Sequence, residues 1–173
     1  MWIALILIAC LAVFLVFVSR KPDSFRWGRH ITIAAPASRV FPLIDNFHAW
    51  REWSPWEGLD PALVRTYSGP DHGVGAAYAW EGNKKVGKGR MEITGRDEPT
   101  RVRIRLDFIA PFEAHNVAEF TLTPDGAGTR VNWTMTGPTP FMNKLVGTFM
   151  NFEAMVMKDF EKGLAQLKAA AEH

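Results

Sequence analysis

Glu113 and His115 stand two residues apart, so on a strand they share a face, and a carboxylate beside an imidazole suits proton transfer. On a half-buried strand such polar residues belong to the wet side, and the bland reading is a solvated pair. Asn116 then falls on the opposite, inward face, where its amide needs a neighbouring backbone group or a ligand as partner. The remaining histidines, His30, His48, His72 and His173, are scattered singly. None has a second ligand type at helical spacing, so no metal site is expected.

Two glycine-rich stretches invite a nucleotide-binding reading and fail it. Gly82-Asn83-Lys84-Lys85-Val86-Gly87-Lys88-Gly89 nearly spells a phosphate-binding loop, but Gly89 stands where a Ser or Thr should hold magnesium, and a strand follows it. Gly73-Val74-Gly75 precedes a strand and lacks the third glycine of a dinucleotide fingerprint. There is no Gly-x-Ser-x-Gly nucleophile elbow. No residue earns a catalytic assignment, and no cofactor is implied.

The aromatic load carries more information. Seven tryptophans and twelve phenylalanines either fill a core or wall a cavity. Tyr78, Trp80 and Trp133 point inward in the strand register, while Trp53 and Trp56 lie where a short segment covers one end of the sheet. Ligand sites are mostly apolar with a few placed polar groups. The candidate lining is therefore Trp53, Trp56, Tyr78, Trp80, Phe108, Asn116, Phe120, Trp133 and Phe149.

The elements that position these residues follow from patterning. Phe25 to Ala34 suits a first strand. Pro36 opens a short helix reaching about Asp45, and a second helical piece runs from Phe47 to Trp53. Strands are then expected at Leu63–Ser68, Val74–Glu81, Val86–Arg96, Arg101–Ile109, Glu113–Thr123 and Thr129–Thr136, separated by Gly, Pro, Asn and Asp turns. Connections this short imply antiparallel neighbours. Strict alternation in 101–108 turns Val102, Ile104, Leu106 and Phe108 inward together, with Ala118, Phe120 and Leu122 on the next strand and Val131, Trp133 and Met135 on the last. From Phe141 to about Ala170, apolar residues recur every three or four positions, which predicts one long helix laid across the dry face.

Trp2 to Val18 is an uncharged apolar run whose helix would be about 26 Å long, within the usual range for a membrane span. A signal peptide would have basic residues before the run and a small-residue cleavage site after it; here Ser19-Arg20-Lys21 follows instead. The expected organisation is a transmembrane anchor at 1–19, a linker at 20–24 and a domain at 25–173. Arg20, Lys21, Arg26 and Arg29 place that domain in the cytoplasm by the positive-inside rule, making a single-pass membrane protein. Net charge is +2, from twenty basic and eighteen acidic residues, which gives no reason to expect a nucleic-acid partner. The lone cysteine, Cys10, has no disulfide partner. Lys84, Lys85, Lys88 and Arg90 around one hairpin, and Arg101, Arg103 and Arg105 along one strand, are solvated charge or, in a tethered domain, contacts to anionic headgroups.

A strand, two short helices, six antiparallel strands and a long C-terminal helix resemble the helix-grip fold of START domains, birch-pollen-allergen-like proteins and polyketide cyclases. Ile33-Ala34-Ala35-Pro36-Ala37-Ser38-Arg39-Val40-Phe41, Phe47-His48-Ala49-Trp50-Arg51-Glu52-Trp53-Ser54-Pro55-Trp56 and Gly128-Thr129-Arg130-Val131-Asn132-Trp133 are similar to that superfamily's strand-to-helix entry, second-helix segment and last strand. The bacterial polyketide-cyclase/dehydrase and lipid-transport-like branch is the nearest in wording. The resemblance covers about Phe25 to Ala170 and implies an α+β domain: a curved sheet of about seven strands, and a cavity between it and the helix for an apolar small molecule or lipid. The first expectation is a non-enzymatic binding module. A cyclase or dehydratase using inward polar groups such as Asn116 is the second, and an interaction module with a closed core the third. The sequence names no protein partner.

Overall fold

The computed structural model describes residues 2–173. The apolar N-terminal run forms helix α1 (Trp2–Ser19), solvent-exposed along nearly all its length, with Val18 alone buried. Then come β1 (Ser24–Ile33), α2 (Ala37–Asp45), a short 3-10 turn (Ala49–Glu52), β2 (Val64–Ser68), β3 (Ala77–Glu81), β4 (Lys88–Asp97), β5 (Arg101–Ala110), β6 (Ala114–Asp125) and β7 (Gly128–Pro138). Two helices, α3 (Phe141–Val146) and α4 (Phe152–Glu172), complete the chain.

The strands form one antiparallel sheet in the order β1-β7-β6-β5-β4-β3-β2. Its one non-local pairing sets β1 beside β7, so the first strand after α1 joins the last before the C-terminal helices. The expected alternation holds: Val102, Ile104, Ala118, Phe120, Leu122, Val131 and Trp133 are buried in one cluster. On the opposite face the arginines of β5 meet carboxylates of neighbouring strands. Arg105 lies 2.7 Å from Glu92, Arg103 lies 3.6 Å from Glu119, and Arg101 lies 2.7 Å from Asp97. That lattice neutralises the basic stripe read from the sequence.

Helix α4 runs alongside β1, with Lys168 Nζ donating to the Thr32 carbonyl (2.9 Å) and Glu172 accepting from the Ala34 amide (2.7 Å) at its C-terminal end. Halfway along, the Phe160 ring stacks on Trp133 with centroids 4.0 Å apart. Gly163 permits this approach, because a Cβ there would lie 2.9 Å from both the Trp133 ring and the Pro55 ring.

Three expectations need correction. The strand expected from Val74 begins at Ala77, because Gly73 and Gly75 take positive φ (79° and 91°) and turn the chain first. The strand expected from Val86 begins at Lys88. The helix expected without interruption from Phe141 is two helices. Gly147 ends the first, and Asn151 opens the second by accepting a hydrogen bond from the Ala154 amide at 3.0 Å, a side-chain N-cap. The short α3 packs against α1 instead of the sheet.

Candidate ligand cavity

Helix α4 covers the β1–β7 side of the dry face. Over the β3–β5 side it leaves a cavity of about 280 Å³, near the lower end of the ~300–1,000 Å³ usual for small-molecule sites. Met91, Ile104, Ala118 and Met135 form its floor, one from each of β4 to β7. Tyr78 and Trp80 of β3, with Phe108 of β5, make one wall; Trp133 and Phe160 make the other. Trp50, in the 3-10 turn, and Trp56, in the segment between that turn and β2, approach from the other side.

The walls are held in place by local chemistry. Trp80 lies flat across β4 because residue 89 is glycine; a Cβ there would come within 2.4 Å of the indole ring. Its Nε1 donates to the Val86 carbonyl at 3.2 Å, and its ring makes a T-shaped contact with Phe108, centroids 5.9 Å apart. Trp133 is 2% exposed and sits between Phe160 and Phe120, whose centroid is 4.8 Å away, with Trp50, Trp53 and Trp56 edge-on around it.

Few polar groups face this space. The Trp133 Nε1 hydrogen has no acceptor, but it is buried among the packed rings and out of reach of a water-sized molecule. Burial, reinforced by the Glu57 carboxylate, pushes the Tyr78 phenol up to about 12, so at neutral pH it keeps its proton. Glu57 is itself held by Arg65, whose Nε lies 3.3 Å from Oε1 and whose Nη2 reaches Oε2. Ser54, Lys85 and Asp159 are the other polar or charged residues of the lining, and no histidine belongs to it. The site therefore offers the protonated Tyr78 phenol within apolar walls, with carboxylates kept to partly exposed positions.

Of the residues singled out from the sequence, Trp56, Tyr78, Trp80, Phe108 and Trp133 line the cavity. Trp53, Asn116, Phe120 and Phe149 do not. Trp53 is buried in the core, its Nε1 donating to the Leu43 carbonyl at 2.8 Å, and Phe120 lies fully buried on the far side of Trp133. Asn116 points inward as the alternation requires, but its amide occupies the space beside Gly137, where a Cβ would meet its Oδ1 at 2.0 Å. Phe149 departs furthest: it is 77% exposed in the break between α3 and α4, and its ring meets Phe14 of α1.

Glu113 and His115 sit on the outer face, away from the cavity. The imidazole contacts Asp107 through Nδ1 at 2.8 Å and Glu113 through Nε2 at 3.2 Å, and those two hydrogen bonds raise its pKa above the ordinary value. Among the described residues no cluster of three His, Cys, Asp or Glu side chains is placed to hold a metal ion. Sequence reasoning passed over Met91 and Met135 as lining, though the alternation already put Met135 inward. It also passed over Asp159, whose polar type gave no signal on a helix stripe defined by apolar residues.

Residues 25–172 match the family described as polyketide cyclase / dehydrase and lipid transport. The chain belongs to that family. No curated protein matches it. Among solved structures, a protein of Chromobacterium violaceum shares 18% identity over 88% of this chain and 99% of its own, with a TM-score of 0.61. A protein of the dynemicin biosynthetic locus shares 15%, covering 88% of this chain and 48% of its own, at 0.59. Ara h 8.0201 shares 13%, covering 86% and 97%, at 0.56. Identities this low establish the helix-grip fold of this polyketide cyclase/dehydrase and lipid transport family member, and the function has to be argued from the cavity.

Proposed function

We propose that this chain is a membrane-anchored binding module that holds one hydrophobic small molecule, or part of a lipid, between its sheet and α4. The observation that carries the reading is the cavity: an apolar space walled by aromatic rings, with few polar groups in its lining. The family description is compatible with lipid transport. In this reading α1 anchors residues 1–19, residues 20–24 link, and residues 25–173 bind. The basic residues Arg20, Lys21, Arg26 and Arg29 hold the domain on the cytoplasmic side.

A cyclase or dehydratase would work in the same space, with Tyr78 as hydrogen-bond donor to a carbonyl. A phenol with a pKa near 12 is a poor proton donor at neutral pH, and Glu57, the nearest candidate base, is tied to Arg65. Binding therefore has more support than catalysis. Extraction of the full chain purified in detergent, followed by mass spectrometry of the extract, tests the reading. The wild type should carry an apolar species that is depleted when Ala118→Phe fills the cavity. Identical extracts from the two proteins would overturn it.

A further inference from the structure

One end of the sheet gathers features that the binding reading leaves unexplained. At that end β1 begins at Ser24, β7 ends at Pro138, β6 begins at Ala114, β5 ends at Ala110 and β4 begins at Lys88. The anchor therefore enters beside the tips of the β3–β4 and β5–β6 hairpins. Helix α4 also starts there, since its other end meets Thr32 and Ala34.

This end is apolar where it should be wet. Phe112, at the β5–β6 tip, is 82% exposed, and Ile109 beside it is also exposed. Across the sheet, Phe141, Met142, Phe149, Met150 and Met155 present a second exposed apolar surface. Next to the β5–β6 tip in the strand order is the β3–β4 tip with Lys84 and Lys85, which have no carboxylate within ion-pair distance among the described residues, unlike Lys88, which pairs with Glu81 at 2.9 Å.

The 141–150 segment is fixed to the anchor. Lys144 is buried, and its Nζ donates to the Ser19 carbonyl at 3.3 Å while pairing with Asp23, which satisfies an open carbonyl at the C-terminus of α1. Lys21 Nζ donates to Thr148 Oγ1 at 2.9 Å, and the Phe149 ring meets Phe14 with centroids 6.1 Å apart. Phe14 is five residues inside the end of α1, about 7.5 Å along its axis at ~1.5 Å per residue. If α1 spans a bilayer, Phe149 lies at that depth beside it, and apolar faces of interfacial segments bury about 5–10 Å.

We infer that this end of the domain docks on the bilayer, with Phe112 and the 141–150 segment inserted among the headgroups and Lys84 and Lys85 facing anionic lipid. The inference rests on the anchored reading of α1. It also identifies the source of the ligand, because the exposed Lys85 and the partly exposed Trp80, Val86, Phe108 and Val156 of the cavity lining lie on the same hairpins and the first turns of α4. The mouth then opens toward the membrane, and an apolar molecule passes between bilayer and cavity with little exposure to water.

Site-directed spin labelling of the full chain in nanodiscs containing anionic phospholipid tests this. One nitroxide is placed on native Cys10, and others on Phe112→Cys, Met142→Cys and Ala127→Cys in a Cys10→Ser background. Residues 112 and 142 are exposed, and Ala127 lies in the turn at the opposite end of the sheet, so the labels do not disturb the core. Docking predicts that the labels at 112 and 142 show a several-fold higher ratio of oxygen to nickel-chelate collisions than the label at 127. Ratios at 112 and 142 equal to that at 127, with Cys10 inside the hydrocarbon, would overturn docking and leave the anchor standing. A water-accessible Cys10 would remove the anchor and the docking with it.

Discussion

Replacing Ala118 by Phe asks whether the space under α4 is open. Ala118 is 4% exposed, lies opposite Ile104 and Met135 on the neighbouring strands, and faces the cavity. In a close-packed core an added ring costs about 1–3 kcal/mol, because neighbours must move. Here some 280 Å³ stands ready to receive it. Burying a phenylalanine side chain returns about 1.5–3 kcal/mol, and ordering it costs roughly 0.5–1 kcal/mol. The expected net effect is a gain of about 1–2 kcal/mol, or about 2–8 °C in Tm for a chain of this size. Ala171→Phe is the control: Ala171 is fully buried and does not line the cavity, so there the ring should lower Tm by several degrees. Thermal melts of the full chain in mild detergent, followed by tryptophan fluorescence, read both. Equal destabilisation by the two substitutions would refute the argument, because it would mean that the wall residues already fill the volume.

Two further predictions concern charged groups. Asp45 is buried at the end of α2, burial raises its pKa, and Arg96 Nε approaches its Oδ2 at 2.9 Å. Arg96→Ala should cost about 3 kcal/mol at pH 7, the lower end for breaking a buried pair, as measured by chemical denaturation. That deficit should shrink as the pH falls through the raised pKa, because a protonated Asp45 needs no cation; a pH-independent deficit would contradict the assignment. His115 should titrate above the ordinary imidazole value of 6.5 in a proton NMR titration, and Asp107→Asn should lower it. Its pKa is raised in the fold, so the stabilisation from its two carboxylate contacts is complete below 6.5 and is lost as the pH rises through the shifted value. Absence of any change on Asp107→Asn would show that the Nδ1 contact does not form.

The fold was legible wherever burial imposed a period. Residues 101–108 alternate without exception, and from them the inward face of β5 follows, with the register of β6 and β7 carried by Phe120 and Trp133. The break in the C-terminal helix is masked in the sequence because the apolar stripe continues across it, although Asn151, three residues before Ala154, is a readable N-cap. That break puts Phe149 against Phe14 of α1 and away from the cavity. The cavity itself was half legible. Alternation says that Tyr78, Trp80, Ala118 and Trp133 share a face, but whether rings on one face interlock or stand apart depends on three-dimensional placement. Gly89 and Gly163, where the chain lets Trp80 and Trp133 lie flat, decide it, and neither glycine differs in the sequence from one in a turn.

Photo-crosslinking tests the central claim most directly. The full chain is placed in nanodiscs containing a fatty acid with a mid-chain diazirine, irradiated, and the labelled peptides are mapped by mass spectrometry. A cavity that holds apolar molecules predicts adducts at the floor and walls, at Met91, Met135 and Trp133, that disappear in Ala118→Phe. Adducts confined to α1 and residues 141–150, unchanged by that substitution, would contradict it.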